Sequence, residues 1–331
     1  MFVKYIKVIS LSLSLSLFPW LALEKANAGE SLWVYAKGTD TMPAGELEFK
    51  LGTIARLGKN SGDYKFYDIR PELEYGISDK LTLSTELLLF SHDYSVDPDS
   101  GPGPMVDTQA KTGGSFDKTQ VGGYEVSLKY NILSVYKDSL GLSLGAGYER
   151  RDRYRLDGTE IDQDSFLGTL YLQKNYLDDL LATTLTVKTE FERRKSGDWD
   201  DQSFVLEEEI ALDLALGISY RVAPKWNLGI EFRHQSDYLN PQEFNEQGEF
   251  AYNPDLKPSN FDLFDIRLGS QHQNGNYFGP TVHYAEKDWW VTAGALWQVF
   301  GGGSKYADVR DNKNWDEHEK VHFGLTFGYE I

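Results

Sequence analysis

From Glu46 onward the chain alternates. Leu47, Phe49, Leu51, Thr53, Ala55 and Leu57 fall on one phase of a two-residue period, and Glu46, Glu48 and Lys50 fall on the other. Successive side chains point to opposite faces only in an extended strand, so the pattern predicts a strand with one apolar and one polar face. It breaks and resumes along the whole chain. The runs predict twelve strands, at about 46–58, 65–76, 80–93, 120–131, 139–151, 164–176, 180–195, 204–222, 226–238, 276–285, 289–300 and 320–331. The clearest is 204–222, where Ile210, Leu212, Leu214, Leu216, Ile218 and Tyr220 alternate with Glu209, Asp213 and Arg221. The next strand answers with Trp226, Leu228, Ile230 and Phe232 against Asn227, Glu231 and Arg233.

Tyr75, Tyr130, Tyr176, Tyr220, Tyr284 and Tyr329 each close such a run, in phase with its apolar set. The first five precede short connections, and the sixth lies two residues from the end. Trp226 and Trp289 open runs on the far side of the same turns. A ring with a polar tip settles where hydrocarbon meets water, so these eight residues predict an aromatic belt at one membrane interface. The other connections (94–119, 152–163, 239–275 and 301–319) are long and rich in Gly, Pro, Asp and Asn. Short periplasmic turns and long external loops are the asymmetry of bacterial barrels. The expected fold is therefore all-β: an antiparallel up-and-down transmembrane β-barrel of about 12 strands over residues 46–331, in the bacterial outer membrane. A soluble sandwich would also alternate. Its strands need not reach the 9–11 residues of a membrane span, nor would its apolar faces end in aromatics at a common height.

Other features narrow the picture. Residues 1–28 predict a signal peptide: Lys4 and Lys7 are basic, Val8 to Leu23 is an apolar core, and Ala26-Asn27-Ala28 fits a cleavage site. Residues 29–45 lack sustained alternation and predict a periplasmic lead-in placed to tuck into the barrel mouth. No later run is long and apolar enough for a membrane helix, which excludes a helical bundle but not a barrel. The 331 residues contain no cysteine, which excludes disulfides, thiolate metal sites and a cysteine-linked lipid anchor. Net charge is −18, and the leader carries +2 (Lys4, Lys7 and Lys25 against Glu24), which leaves −20 after cleavage. That balance argues against nucleic acid as a partner and biases any pore toward cations.

Parity assigns the polar phase to the interior, because charges at hydrocarbon depth are tolerable only there. The lining then includes Glu48, Lys50, Asp68, Arg70, Glu72, Glu74, Glu86, Glu125, Lys129, Glu149, Arg151, Lys188, Glu190, Glu192, Glu209, Asp213, Arg221, Glu231, Arg233 and His283. Twelve strands lie between barrels filled by side chains and barrels with an open channel. The lining therefore reads as an ion-pair network, a selectivity surface, or both, and loops 94–119 and 239–275 are long enough to fold inward. Asp97-Pro98-Asp99, Asp198 to Asp201, and Asp316-Glu317-His318-Glu319 offer oxygen ligands without EF-hand spacing. No metal site or cofactor is assigned. Divalent ions bridging such loops to lipopolysaccharide phosphates are a further expectation.

One triplet has catalytic chemistry. His234 and Ser236 sit at i and i+2 of a strand, on the phase of Trp226 and Phe232, and so point outward near the external end. A histidine base beside a serine nucleophile can attack an ester. His234-Gln235-Ser236 resembles the active-site segment of the outer-membrane phospholipase A family, also twelve-stranded. That resemblance would make His234 the base and Ser236 the nucleophile. The family continues with Asn-Gly where this chain has Asp237-Tyr238, and it takes an asparagine from the neighbouring strand. Asn240 and Asn245 fall in the loop, so no asparagine stands out for that role. No nucleophile elbow, zinc-protease pair or phosphate loop is present.

The chain also resembles a broad class of porin-like outer-membrane barrels of Gram-negative bacteria. Thr41 to Glu46 introduces the first strand, Gly279 to Tyr284 precedes Asp288 to Ala293, and Phe323, Leu325, Phe327, Tyr329 and Ile331 alternate to the end. The last pattern resembles the terminal strand read by the barrel-assembly machinery, with isoleucine in place of the usual final phenylalanine. These resemblances imply passive diffusion of small polar or cationic solutes. The alternatives are a lipid esterase using His234 and Ser236, or a structural or adhesive barrel that works through its external loops.

Overall fold

In the computed structural model, residues 31–100, 104–106, 108–198, 203–239, 242–244, 250–252, 271–303 and 309–331 are described. The expected leader, Asn240, Asn245 and most of loop 239–275 lie outside them. Twelve long strands form a closed antiparallel barrel: β1 (Leu47–Leu57), β2 (Tyr64–Ser78), β3 (Leu81–Ser95), β4 (Ser115–Leu133), β5 (Gly141–Arg153), β6 (Glu160–Tyr176), β7 (Leu181–Asp198), β8 (Ser203–Ala223), β9 (Trp226–Leu239), β12 (Gln271–Ala285), β13 (Trp289–Gly302) and β16 (Val321–Glu330). Two small hairpins, β10 (Gln242–Phe244) with β11 (Phe250–Tyr252) and β14 (Val309–Arg310) with β15 (Lys313–Asn314), stand on external loops. Neighbours in sequence are neighbours in space. Closure is made by β1 against β16, from Glu48 opposite Glu330 to Leu57 opposite Val321.

Alternation decides which face looks where. Leu73, Tyr75, Leu128, Tyr130, Leu216, Ile218, Tyr220, Leu228 and Phe327 project from the outer wall, while Glu48, Asp68, Glu149, Glu190 and Arg233 are buried inside. The rim aromatics share a height. Tyr284 lies opposite Trp226, Trp289 opposite Tyr329, and the Trp226 and Tyr284 rings are 4.7 Å apart. Twelve strands spaced ~4.8 Å and tilted ~40° give a backbone radius of about 12 Å. That bore is too wide for inward side chains alone to fill.

Two kinds of packing occupy it. Near the external end, Tyr64, Phe66, Leu88, Phe90 and Tyr94 form an apolar core with Val96 and Met105, and the His92 ring stacks on Phe66 at 4.6 Å. This core reverses the polar-inside rule on β2 and β3. It is covered by the described part of the 96–114 loop. Through the lower bore runs the segment before β1, which enters the interior rather than remaining a lead-in at the mouth.

Candidate functional site

The N-terminal segment traces an arch inside the barrel. From β13, the Thr292 hydroxyl donates to the Ser31 carbonyl of this segment. At the apex, the amides of Val34, Tyr35 and Ala36 donate to the Glu231 carboxylate at 3.0, 2.8 and 2.6 Å. The chain then descends across the strands. The Lys37 amide donates to Thr186, the Thr39 amide to Gln173, and the Met42 amide to Thr82 (2.9, 2.9 and 2.8 Å). It leaves where the Gly45 amide meets the Gly76 carbonyl of the first periplasmic turn. A chain without secondary structure can lie inside a barrel only if its amides find partners. Here inward Thr, Gln and Glu side chains supply them.

Glycines open the seat for this arch. A Cβ on Gly217 would come 2.5 Å from the Trp33 indole, and one on Gly294 would come 2.6 Å from Val34. The Arg233 guanidinium lies 3.7 Å over the Tyr35 ring and donates through Nε to Asp213 at 3.0 Å. The Tyr35 hydroxyl meets His322 Nδ1 at 2.8 Å, and His322 Nε2 meets Glu319 at 3.1 Å. Glu319 also pairs with Lys59 at 3.5 Å. A polar chain thus links the external loop to the apex of the arch. Against the burial that would raise it, Lys59 and His322 hold the Glu319 carboxyl well below the usual range. Burial pushes neighbouring His318 down to about 3.

Charged residues line the space beside the arch. Arg70 donates to Asp68 and Glu86 at 3.0 and 3.1 Å and lies 3.6 Å from both Glu125 and Glu149. Arg151 pairs with Glu149, Glu190 and Glu192, and Lys188 with Glu125. Lys50 bridges Glu74 and Glu48 at 2.6 and 3.4 Å, and Glu48 accepts the Trp290 indole N–H. Of the residues assigned inward by parity, sixteen line this surface, while Glu48, Glu149, Glu231 and His283 are buried and do not line it. Glu72, Lys129, Glu209 and Arg221 line the cavity, and His283 is buried against Thr292 at 2.7 Å. Lys37, Arg56 and Arg155 also face it but were not expected. The first belongs to the arch and the last to an external loop, neither of which alternates.

The cavity has a volume of about 1040 Å³. Its lining runs from Tyr136, Lys137 and Asp179 at the periplasmic turns to Arg155, His318 and Glu319 at the external loops. No group of three or more His, Asp or Glu placed to hold a metal ion occurs among the described residues. Of the Asp316 to Glu319 acids expected as possible ligands, the Glu319 carboxylate pairs with Lys59, which also donates to the Glu317 carbonyl at 2.7 Å, and the Glu317 carboxylate accepts from Asn314 at 2.6 Å. The side chains of Asp198 to Asp201 lie outside the described residues.

On the outer wall, His234 and Ser236 face away from the lumen, in phase with exposed Ile230 and Leu228. His234 Nε2 is 3.0 Å from Ser236 Oγ. An asparagine that the sequence did not single out lies beside this pair. Asn276, directly opposite His234 on neighbouring β12, places Oδ1 2.7 Å from His234 Nδ1.

No curated protein matches the chain. Among solved structures, it is similar to the COG4313 outer membrane channel from Pseudomonas putida F1, at 12% identity over 90% of this chain and 100% of that one, with a TM-score of 0.56. It also aligns with the β domain of the Bordetella autotransporter BrkA (12% identity, 87% and 100% covered, TM-score 0.48) and with the NanC porin (10%, 86% and 100%, 0.42). At such identities the first likeness speaks for the fold, a closed barrel of the outer-membrane type. A model of a family of unknown function, DUF6662, matches residues 25–331, and the chain belongs to that family.

Proposed function

We propose that this barrel is a passive diffusion channel for small polar solutes, with a preference for cations. The observation that carries the proposal is the charged cavity that reaches from the periplasmic turns to the external loops beside the arch. Because the cavity extends past both ends of an apolar band of ~25 Å, 1040 Å³ corresponds to a mean cross-section below about 40 Å², a size that favours small solutes. The cavity lining holds fourteen carboxylates against twelve Lys and Arg, a small excess that favours positive charge in transit. Glu86, Glu190 and Glu209 are the selectivity groups in this reading. Glu231 is not, because its carboxylate is spent on the arch.

The test is ion current through the folded protein in a planar bilayer. Conducting steps with cation selectivity support the channel, and an intact barrel that passes no current excludes it. The same reading places the outer wall in the lipid bilayer beside lipopolysaccharide. It gives Val321–Glu330 to the barrel-assembly machinery as its recognition strand.

A further inference from the structure

We propose that Ser236, His234 and Asn276 form a second, independent site on the outer wall that cleaves acyl esters of membrane lipids. The three side chains are joined in one line. Asn276 Nδ2 donates to Asn274 Oδ1 at 3.0 Å, which turns its Oδ1 toward His234 at 2.7 Å. An oxygen at that position accepts only from Nδ1–H, so the proton sits on Nδ1 and Nε2 keeps its lone pair. Nε2 then accepts from the Ser236 hydroxyl at 3.0 Å. This is a nucleophile, a base in the correct tautomer, and an orienting group, the arrangement that activates a serine on unrelated folds.

Two irregularities in β12 flank Asn276. The register with β13 shifts between Asn276 and Tyr277, and that with β9 shifts between Gln271 and Gln273. Bulges of this kind re-aim side chains beside active sites. The first also brings Phe300 to the outer surface opposite Asn276.

Position identifies the substrate class. Ser236 lies ten residues up β9 from Trp226 of the lower aromatic rim. At ~3.4 Å per residue and a tilt of ~40°, that is about 26 Å, against an apolar band of ~25 Å. The hydroxyl is therefore level with the ester linkages of the outer leaflet. Below it the wall is apolar: Phe232 and Phe300 are 6.4 Å apart, and Phe278 is exposed beside them. Acyl chains fit along this surface with their ester at the serine. Ser236 is itself buried, so the hydroxyl is withheld from bulk water and a substrate must approach along the wall.

In the reaction, Ser236 Oγ attacks the ester carbonyl carbon while its proton passes to His234 Nε2. The intermediate collapses with cleavage of the carbon–oxygen ester bond, and the leaving alcohol takes that proton. Water, deprotonated by the same nitrogen, then releases the fatty acid and restores the serine. Ester and water become acid and alcohol, with no change of oxidation state.

The test uses the full folded protein in detergent and in vesicles. A fluorophosphonate bearing a hexadecyl chain should label Ser236, located by mass spectrometry. Ser236→Ala and His234→Ala should abolish labelling and lower fatty-acid release at least ~10³-fold. Asn276→Ala should lower kcat roughly tenfold or more and displace the pH profile, and Asn276→Asp should restore both. Vesicles of phosphatidylethanolamine and, separately, lipopolysaccharide distinguish the two sources of acyl ester. Release from either supports the site. No labelling of the wild-type barrel, labelling without release from either lipid, or release that survives Ser236→Ala overturns it. Ser236→Ala lies outside the lumen and should leave ion current unchanged, so this result is independent of the channel reading.

Discussion

Glu231→Gln is the sharpest perturbation of the arch. The carboxylate accepts three main-chain N–H groups, two at one oxygen and one at the other. Hydrogen bonds to a charged acceptor contribute about 1.5–3 kcal/mol each, and neutral ones about 0.5–1.5. The amide keeps one oxygen for Tyr35 and Ala36, so each bond there weakens by about 1 kcal/mol. Its NH₂ replaces the acceptor for the Val34 amide, leaving a buried donor unpaired at a cost of about 1–3 kcal/mol. The sum is about 3–5 kcal/mol of local anchoring, or about 10²- to 4 × 10³-fold at ~1.4 kcal/mol per decade. Amide hydrogen exchange at Val34 to Ala36, measured on the folded barrel in micelles, should accelerate by that factor. Strand amides of β5 to β8 should be unchanged. Ion current should rise and become noisier as the arch leaves its seat. Unchanged protection at 34–36 in the variant would mean that Glu231 does not hold the arch.

Other outcomes follow from the same geometry. Gly217→Val places a side chain where the Trp33 indole sits, and should raise both conductance and proteolytic sensitivity of the 31–45 segment without unfolding the barrel. Arg70→Gln removes the cation shared by Asp68, Glu86, Glu125 and Glu149, so reversal potentials in a salt gradient should shift toward greater cation selectivity. A shift toward anions would contradict the assigned lining. Because the folded Glu319 carboxyl lies below its unfolded value, the clamp's stabilisation is present above the ordinary carboxylate range near pH ~4.3 and is lost as pH falls through the lowered value. Amide protection at 315–320 should be flat from neutral to mildly acidic pH and collapse in stronger acid, and Glu319→Gln should remove that collapse.

How far the chain could be read before folding depends on what kind of information a position carries. Membrane-level strands were legible because one face meets hydrocarbon and the other does not. The same parity put His234 and Ser236 on the outer wall. It fades above the membrane, where no apolar phase marks the chain: β4 starts at Ser115 and β12 at Gln271, each five residues before the alternation shows. Asn276 opens the strand expected at 276–285, but its place opposite His234 is set by strand register across about forty residues of sequence, which alternation does not supply. The inward apolar residues Leu88 and Phe90 could not be told from lipid-facing ones, because burial with Val96, Met105 and Ala110 of the external loop and burial by lipid select the same side chains. The arch had only the negative signal of absent alternation. Its partners, Glu231, Thr186 and Gln173, are scattered over distant strands and meet only when the barrel closes.

The claim on which the functional account rests is that the charged lumen passes solutes beside the arch. Current through the folded full-length barrel in a planar bilayer, with folding verified by heat-modifiable gel migration, measures it most directly. The account predicts discrete, ohmic, cation-selective steps in the wild type that enlarge in Glu231→Gln. A verified barrel that stays silent in both proteins would contradict it.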